Sequence, residues 1–263
     1  MNIAFFADSY RPYTSGVVHS IDSFRSELTA QGHNVYIFCP GYKNYAPEPG
    51  VFRFKSLPAP TNKDFRIAIP LSLKIFSLAR SLKLDIVHSH SPFLLGRLGQ
   101  KVARKLDVPF VFTYHTLYEH YVHYVPFART LSKWAVLRIA KDFCNRSDLV
   151  VVPTSIVEKM LKSAGVRTPL AVIPTGVDLT KFTRTDPGFL RSRLNLNSPH
   201  KIMLFVGRLG REKNLQFLLS CAAQIMRAEP LAVLVLVGGG PLGELLKRTA
   251  DKLGVGSRTY FLG

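Results

Sequence analysis

Arg208 and Lys213 lie in FVGRLGREKN (205–214), where an apolar run gives way to a glycine turn and then to a helical pattern. KIMLFV (201–206) reads as a buried strand, and residues 214–228 carry the apolar spacing of a helix. Backbone N–H groups and the macrodipole at the amino end of a helix favour an anion, so two cations there suit a phosphate-bearing ligand. A plain strand-to-helix turn with two solvated basic residues explains the same stretch. GGGPLG (238–243) follows a second apolar strand with GxGxxG spacing. A dinucleotide fingerprint also needs an acidic residue near the end of the next strand, and no Asp or Glu follows Asp251. What stays open there is a glycine turn close to a phosphate.

The first half of the chain offers three further candidates. Thr14-Ser15-Gly16 opens a helix after the first strand, and residues this small let another molecule approach the backbone, although an ordinary helix start needs the same types. HSHSPF (88–93) ends a strand where open α/β sheets place their ligand crevice. His88 and His90 are two apart and share one face of that strand. Two histidines are too few for a metal site, so hydrogen bonding in the crevice is the expected role. TYHTLYEHYVHYVPF (113–127) carries His115 off the end of its strand, followed by Tyr118, His120, Tyr121, His123 and Tyr124. Rings with polar tips suit a sugar or lipid headgroup against an apolar wall, and equally an interdomain packing cluster. No DxD or ExD pair, GxSxG elbow or GxxxxGK[ST] loop is present, which removes metal-nucleotide, hydrolase and P-loop readings.

The elements that must position these residues alternate strand and helix. Strands are expected at 2–7, 34–40, 51–58, 85–90, 109–115, 149–154 and 170–176. Helices are expected at 16–32, 70–83, 93–106 and 127–146, with a short one after residue 154, which together predict a doubly wound parallel sheet. Residues 177–200 read as a connection. The pattern restarts with strands 201–206, 231–237 and 258–262 and helices 214–228 and 241–253, about half of a second doubly wound domain. The chain of 263 residues has a net charge of +18. That excess is spread evenly, with 22 Lys/Arg against 11 Asp/Glu up to residue 173 and 13 against 6 beyond it. Such a field favours nucleic acid, anionic lipid or phosphorylated ligands. No RNP-like or helix-turn-helix signature supports nucleic acid. No segment is long and apolar enough to span a bilayer, the N-terminus lacks signal-peptide features, and Cys39, Cys144 and Cys221 lack CxxC spacing and read as reduced core cysteines.

In order along the chain, FADSYRPYTSGVVHSI, RIAIP, DIVHSHSPFLLGRLG, TYHTLYEHY, VIPTGVDLTKF, FVGRLGREKN and LVGGGPLG resemble the GT-B retaining glycosyltransferases of family 4. The likeness is strongest to those that glycosylate diacylglycerol, with phosphatidylinositol mannosyltransferases as cousins. It covers the whole chain. It implies an α/β protein of GT-B type with two Rossmann-like domains, an acceptor-side domain at 1–176, a connection at 177–200 and a partial nucleotide-sugar domain at 201–263. A nucleotide-sugar, UDP-glucose in preference to GDP-mannose, would be gripped in the cleft without a metal or other cofactor. Arg208 and Lys213 match the pair that neutralises the donor diphosphate. Gly16, Gly207, Gly239 and Gly240 match positions near the donor, and His115 matches the histidine beside the transferring sugar. His90, Tyr114, Tyr118 and Glu119 are expected on the acceptor side or in the cleft. In the usual proposal for the family the leaving diphosphate helps deprotonate the attacking hydroxyl, and configuration is retained without a clear enzymic nucleophile, unlike the two-carboxylate logic of glycosidases.

The family continues beyond FLG (261–263) into an E-x7-E segment that grips the sugar and ribose. The resemblance therefore implies a C-terminally truncated chain, weak or inactive by itself. A diacylglycerol acceptor implies a cytoplasmic protein peripheral to the inner face of the plasma membrane. Residues 70–84 and 96–106 are the basic amphipathic candidates for docking on an anionic leaflet, each Lys or Arg contributing about 1 kcal/mol. A family 4 enzyme with a soluble acceptor, or a non-catalytic module for anionic surfaces, are the alternatives.

Overall fold

The computed structural model describes residues 1–43, 45–60, 62–71, 74–115, 129–183 and 186–263. The chain divides into two compact units, Met1–Asp178 and Leu179–Gly263.

In chain order the first unit runs β1 (Asn2–Phe6), α1 (Gly16–Ala30), β2 (Asn34–Pro40), β3 (Val51–Phe54), β4 (Ser56–Ala59), β5 (Asn62–Ala68), α2 (Ile75–Ser81) and β6 (Ile86–Ser89). It continues with α3 (Leu94–Leu106), β7 (Phe110–Thr113), α4 (Arg129–Cys144), β8 (Leu149–Val152), α5 (Ser155–Ser163) and β9 (Leu170–Val172). Seven strands form a parallel sheet in the order β3-β2-β1-β6-β7-β8-β9. The chain reverses direction across the sheet between β1 and β6. NIAFF is apolar at every position but the first because the strand is buried on both sides. Ile3 and Phe5 pack with Ile21, Val35 and Ile37 on the face that α1 covers. Ala4 and Phe6 pack on the other face with Phe38, Leu95 and Val102 from α3. Phe6 stacks on Phe38 with ring centroids 4.6 Å apart.

Several expectations change: the strand expected over 170–176 spans only Leu170–Val172, and KIMLFV, expected as a buried strand, has no buried residue. The strand expected over 51–58 breaks at Lys55: β3 pairs in parallel with β2, whereas β4 turns away into an antiparallel hairpin with β5. Pro58 and Pro60 lack the N–H that an interior ladder requires, which confines this segment to an edge. The helix expected over 70–83 spans only Ile75–Ser81, with Ile75 and Ala79 buried; Pro70 follows β5 closely, and residues 72–73 lie outside the described part.

The second unit holds a 3-10 turn at Leu179–Phe182, α6 (Phe189–Arg193), β10 (Lys201–Val206), α7 (Leu215–Ala228), β11 (Ala232–Val237), α8 (Gly243–Lys252) and β12 (Thr259–Phe261). Its parallel sheet has the order β10-β11-β12. Leu219, Ala222 and Met226 of α7 and Leu246 and Ala250 of α8 close over Leu234 and Leu236 of β11. β10 is an edge strand, and its Leu204 and Val206 are 53% and 69% exposed. Cys39 and Cys144 are buried thiols, and Cys221 is half-buried. Among the described residues no helix is long and apolar enough to cross a membrane.

Candidate functional site

Three adjacent parallel strands of the first unit, β1, β6 and β7, end at one edge of the sheet in Asp8, His90 and His115. β1 and β6 flank the point where the strand order reverses, the position at which open α/β sheets leave a crevice.

Local packing sets each residue. The turn after β6 is held by the His90 backbone N–H, which donates to the Phe6 carbonyl at 2.9 Å, and by the Ser89 hydroxyl, which donates to the Ser91 carbonyl at 2.7 Å. Asp8 is the hub. Its carboxylate accepts from the Ser91 hydroxyl at 2.6 Å and from the Leu95 backbone N–H at 2.9 Å, so a side chain leaving β1 caps the first turn of α3. Burial pushes the Asp8 carboxyl above the usual range, opposed by the hydrogen bonds from Ser91, Leu95 and Gly96. Gly96 allows that approach, since a Cβ there would overlap the Ser91 carbonyl oxygen.

Tyr10, fully buried, ties down the loop between β1 and α1 by donating to Asp22 at 2.8 Å and accepting from Arg11 at 2.9 Å. Its phenol is pushed up to about 12, first by burial and then by its bond to Asp22. Ser15 follows as the N-cap of α1, its hydroxyl accepting from the Val18 N–H at 3.3 Å. A Cβ at Gly16 would meet nothing within 4 Å. The chain itself does not demand glycine there, and open space lies in front of the backbone.

The histidines stack on the α1 side of the sheet. The rings of His88 and His90 are 4.3 Å apart at 28°, and those of His90 and His115 are 5.2 Å apart at 22°. His88 Nε2 lies 2.7 Å from Thr113 Oγ1, and His90 Nδ1 lies 2.9 Å from His115 Nε2. Phe5 meets both His88 and His90 edge-on. Burial pushes all three below the ordinary imidazole value: His115 to about 4, His88 to about 3 with His115 adding to the effect, and His90 in the same direction with both neighbours contributing. The cluster is therefore neutral at pH 7, able to donate hydrogen bonds without adding a cation. Among the described residues no group of three or more His, Cys, Asp or Glu converges to hold a metal ion.

Tyr114 goes the other way. It is 2% exposed in the core beneath α4, its ring edge-on to Phe112, and the cavity it lines with Trp134, Leu137 and Met160 is on that side. Alternation along the strand sends Thr113 and His115 to one face and Phe112 and Tyr114 to the other. Tyr118 and Glu119 lie outside the described residues. Asp8 was not anticipated; the signal was a lone carboxylate at the carboxyl end of an apolar strand.

In the second unit the ends of β10 and β11 are bonded turn to turn. The Gly207 N–H donates to the Val237 carbonyl and the Leu209 N–H to the Gly239 carbonyl, both at 2.9 Å, and the Leu242 N–H donates to the Leu209 carbonyl at 3.1 Å. This brings Gly207, Gly239 and Gly240 into one patch around Arg208. Gly238, at φ +129°, has no room for a Cβ against the Gly207 carbonyl. Arg208 is half-buried and Lys213 exposed, in a 3-10 turn (Arg211–Lys213) that leads into α7.

Residues 14–181 match the family model described as Glycosyltransferase Family 4, and residues 188–263 match that described as Glycosyl transferases group 1. The chain is 36% identical over 270 residues to an alpha-monoglucosyldiacylglycerol synthase of Streptococcus pneumoniae, covering 100% of this chain and 61% of that protein. It is 31% identical over 268 residues to the protein of the same name from Acholeplasma laidlawii, covering 95% and 66%. The chain thus spans less than two thirds of the length of these relatives. Among solved structures, sucrose-phosphate synthase from Thermosynechococcus elongatus superposes with a TM-score of 0.69 at 22% identity, over 100% of this chain and 70% of that one. WaaG, a glycosyltransferase involved in lipopolysaccharide biosynthesis, gives 0.67 at 16%, over 99% and 69%. At those identities the likeness shows the fold, an α/β architecture of GT-B type. With one family model spanning most of its length and a relative at 36% identity along all of it, the chain belongs to glycosyltransferase family 4.

Proposed function

We propose that the chain is part of a retaining glycosyltransferase that moves a hexose from a nucleotide-sugar, UDP-glucose first, to a membrane glycerolipid such as diacylglycerol. The observation that carries this reading is the neutral, desolvated histidine cluster ending in His115 at the sheet edge. A centre where positive charge develops on a sugar gains from a dipole that helps position it and loses from an adjacent cation. Arg208 and Lys213 neutralise the donor diphosphate in place of a metal ion, and the open backbone at Gly16 admits the ligand closely. The leaving diphosphate assists deprotonation of the attacking hydroxyl, so no enzymic nucleophile is required. The lipid acceptor is supported by the names of the two relatives and by the basic face of α3, where Arg97, Lys101, Arg104 and Lys105 are exposed opposite buried Leu95, Leu98 and Val102. That face fits reversible docking on the anionic inner leaflet of a plasma membrane.

The test joins the chain to the remaining C-terminal portion of the Streptococcus pneumoniae relative. Transfer of radiolabelled UDP-glucose to diacylglycerol in anionic liposomes is assayed beside the 263-residue chain, with flotation measured in parallel. Transfer by the extended protein, with weak or no transfer by the chain itself, is the expected result. No transfer from UDP-glucose or GDP-mannose by a folded protein, or no flotation, moves the reading to a soluble acceptor or to a binding role.

A further inference from the structure

His90 has one ring nitrogen 2.9 Å from His115 and the other, Nε2, buried without a hydrogen-bond partner. The ring lies between His88 and His115, with Phe5 edge-on to it at 4.8 Å, and among the described residues Nε2 has no hydrogen-bond partner. A neutral imidazole carries one N–H, so two arrangements are open. If His115 donated from Nε2, the His90 proton would sit on Nε2, leaving an N–H buried with no acceptor. If His90 donates from Nδ1, its Nε2 is a bare lone pair, and the proton of His115 moves to Nδ1. Orphaned buried N–H groups are rare, whereas under-satisfied acceptors are tolerated somewhat better.

We infer that His90 is a positioning residue that fixes His115 as the Nδ1–H tautomer, making it a neutral hydrogen-bond donor with no free lone pair. His115 Nε2 accepts the hydrogen bond from the His90 Nδ1–H, and Nδ1 carries the ring's own proton. His115 makes no other side-chain hydrogen bond among the described residues, so its Nδ1–H is left to a ligand oxygen. On the reading that His115 faces the donor sugar, it then donates to a hydroxyl or the glycosidic oxygen and takes no part as a base. The proton of the attacking hydroxyl must go to the leaving diphosphate.

Long-range proton–nitrogen spectra of the 15N-histidine-labelled chain, without any ligand, read the tautomers directly. The expected result is protonated Nδ1 and unprotonated Nε2 in both His90 and His115. Protonated Nε2 on His115 overturns the inference. His90→Phe keeps a ring and removes both nitrogens, and His115 is expected to pass largely to the Nε2–H form that isolated imidazoles favour. His90→Asn places an amide donor near the position of Nδ1 and is expected to restore the original tautomer. An unchanged His115 in folded His90→Phe overturns the role of His90, and if that variant does not fold, the wild-type spectrum decides. Because no ligand is present, failure here is separate from failure of the glycosyltransferase reading, which the transfer assay tests.

Discussion

Both units of this chain solve the same local problem, a parallel strand running into a glycine-bearing turn and a helix, yet they finish it in opposite electrostatic states. At the edge of the first unit the polar groups are drawn back from water: His88 and His90 are buried and stacked on each other, and half-buried Asp8 is held by Ser91 and Leu95. In the second unit the basic groups reach outward, with Lys213 exposed, and β10 leaves Leu204 and Val206 in solvent. Desolvation removes charge from a titratable ring, while an arginine or lysine left near water keeps its own. One chain thus carries a neutral edge and a basic turn, which the proposed function assigns to a sugar on which positive charge develops and to a diphosphate.

Substitutions that separate structural from ligand-facing positions sharpen this contrast. Gly96→Ala is expected to destabilise the first unit by about 3 kcal/mol or more, because the new Cβ meets the Ser91 carbonyl. Gly16→Ala, facing open space, is expected to change the unfolding free energy in a denaturant titration by less than about 0.5 kcal/mol while weakening nucleotide-sugar binding. Equal losses of stability in the two variants would break the distinction. Asp8→Ala removes the acceptor of Ser91 and Leu95, and is expected to cost about 2 kcal/mol in the same measurement.

Acidification offers a milder probe. His88 and His115 have folded-state values near 3 and 4, below the 6.5 of an unfolded chain. The unfolded chain therefore binds more protons between those values, and stability falls as pH drops below 6.5. The slope is at most about 1.4 kcal/mol per pH unit for each histidine, and the loss from His115 ends near pH 4. Urea melts between pH 7 and 4.5 should show it in wild type and less of it in His88→Phe. A flat profile would mean that the rings titrate as they do in water. The smallest effect belongs to the second unit, where Lys213→Ala is expected to leave stability within about 0.5 kcal/mol of wild type.

Much of this was legible in the sequence, because a sheet buried on both faces writes its strands as apolar runs. NVYIFCP matches β2 residue for residue; KIMLFV matches the bounds of β10, but that strand lies at the sheet edge with Leu204 and Val206 exposed rather than buried. The hairpin of β4 and β5 was not, since NKDFRIA carries three charged residues and pairs only with a proline-bearing partner. Histidines two apart share a face, and the rings do stack. The same alternation, applied one strand over, would have separated buried Tyr114 from His115. Asp8 escaped notice because its work is done on residues more than 80 positions away.

The most direct test of the cationic turn is a titration of UDP into the 263-residue chain and its Arg208→Ala/Lys213→Ala double variant, with EDTA present throughout. Charge-assisted hydrogen bonds are worth about 1.5–3 kcal/mol each, so the account predicts metal-independent binding that falls at least about tenfold in the double variant. Equal binding by the two proteins, or binding that appears only when a divalent cation is restored, would contradict it.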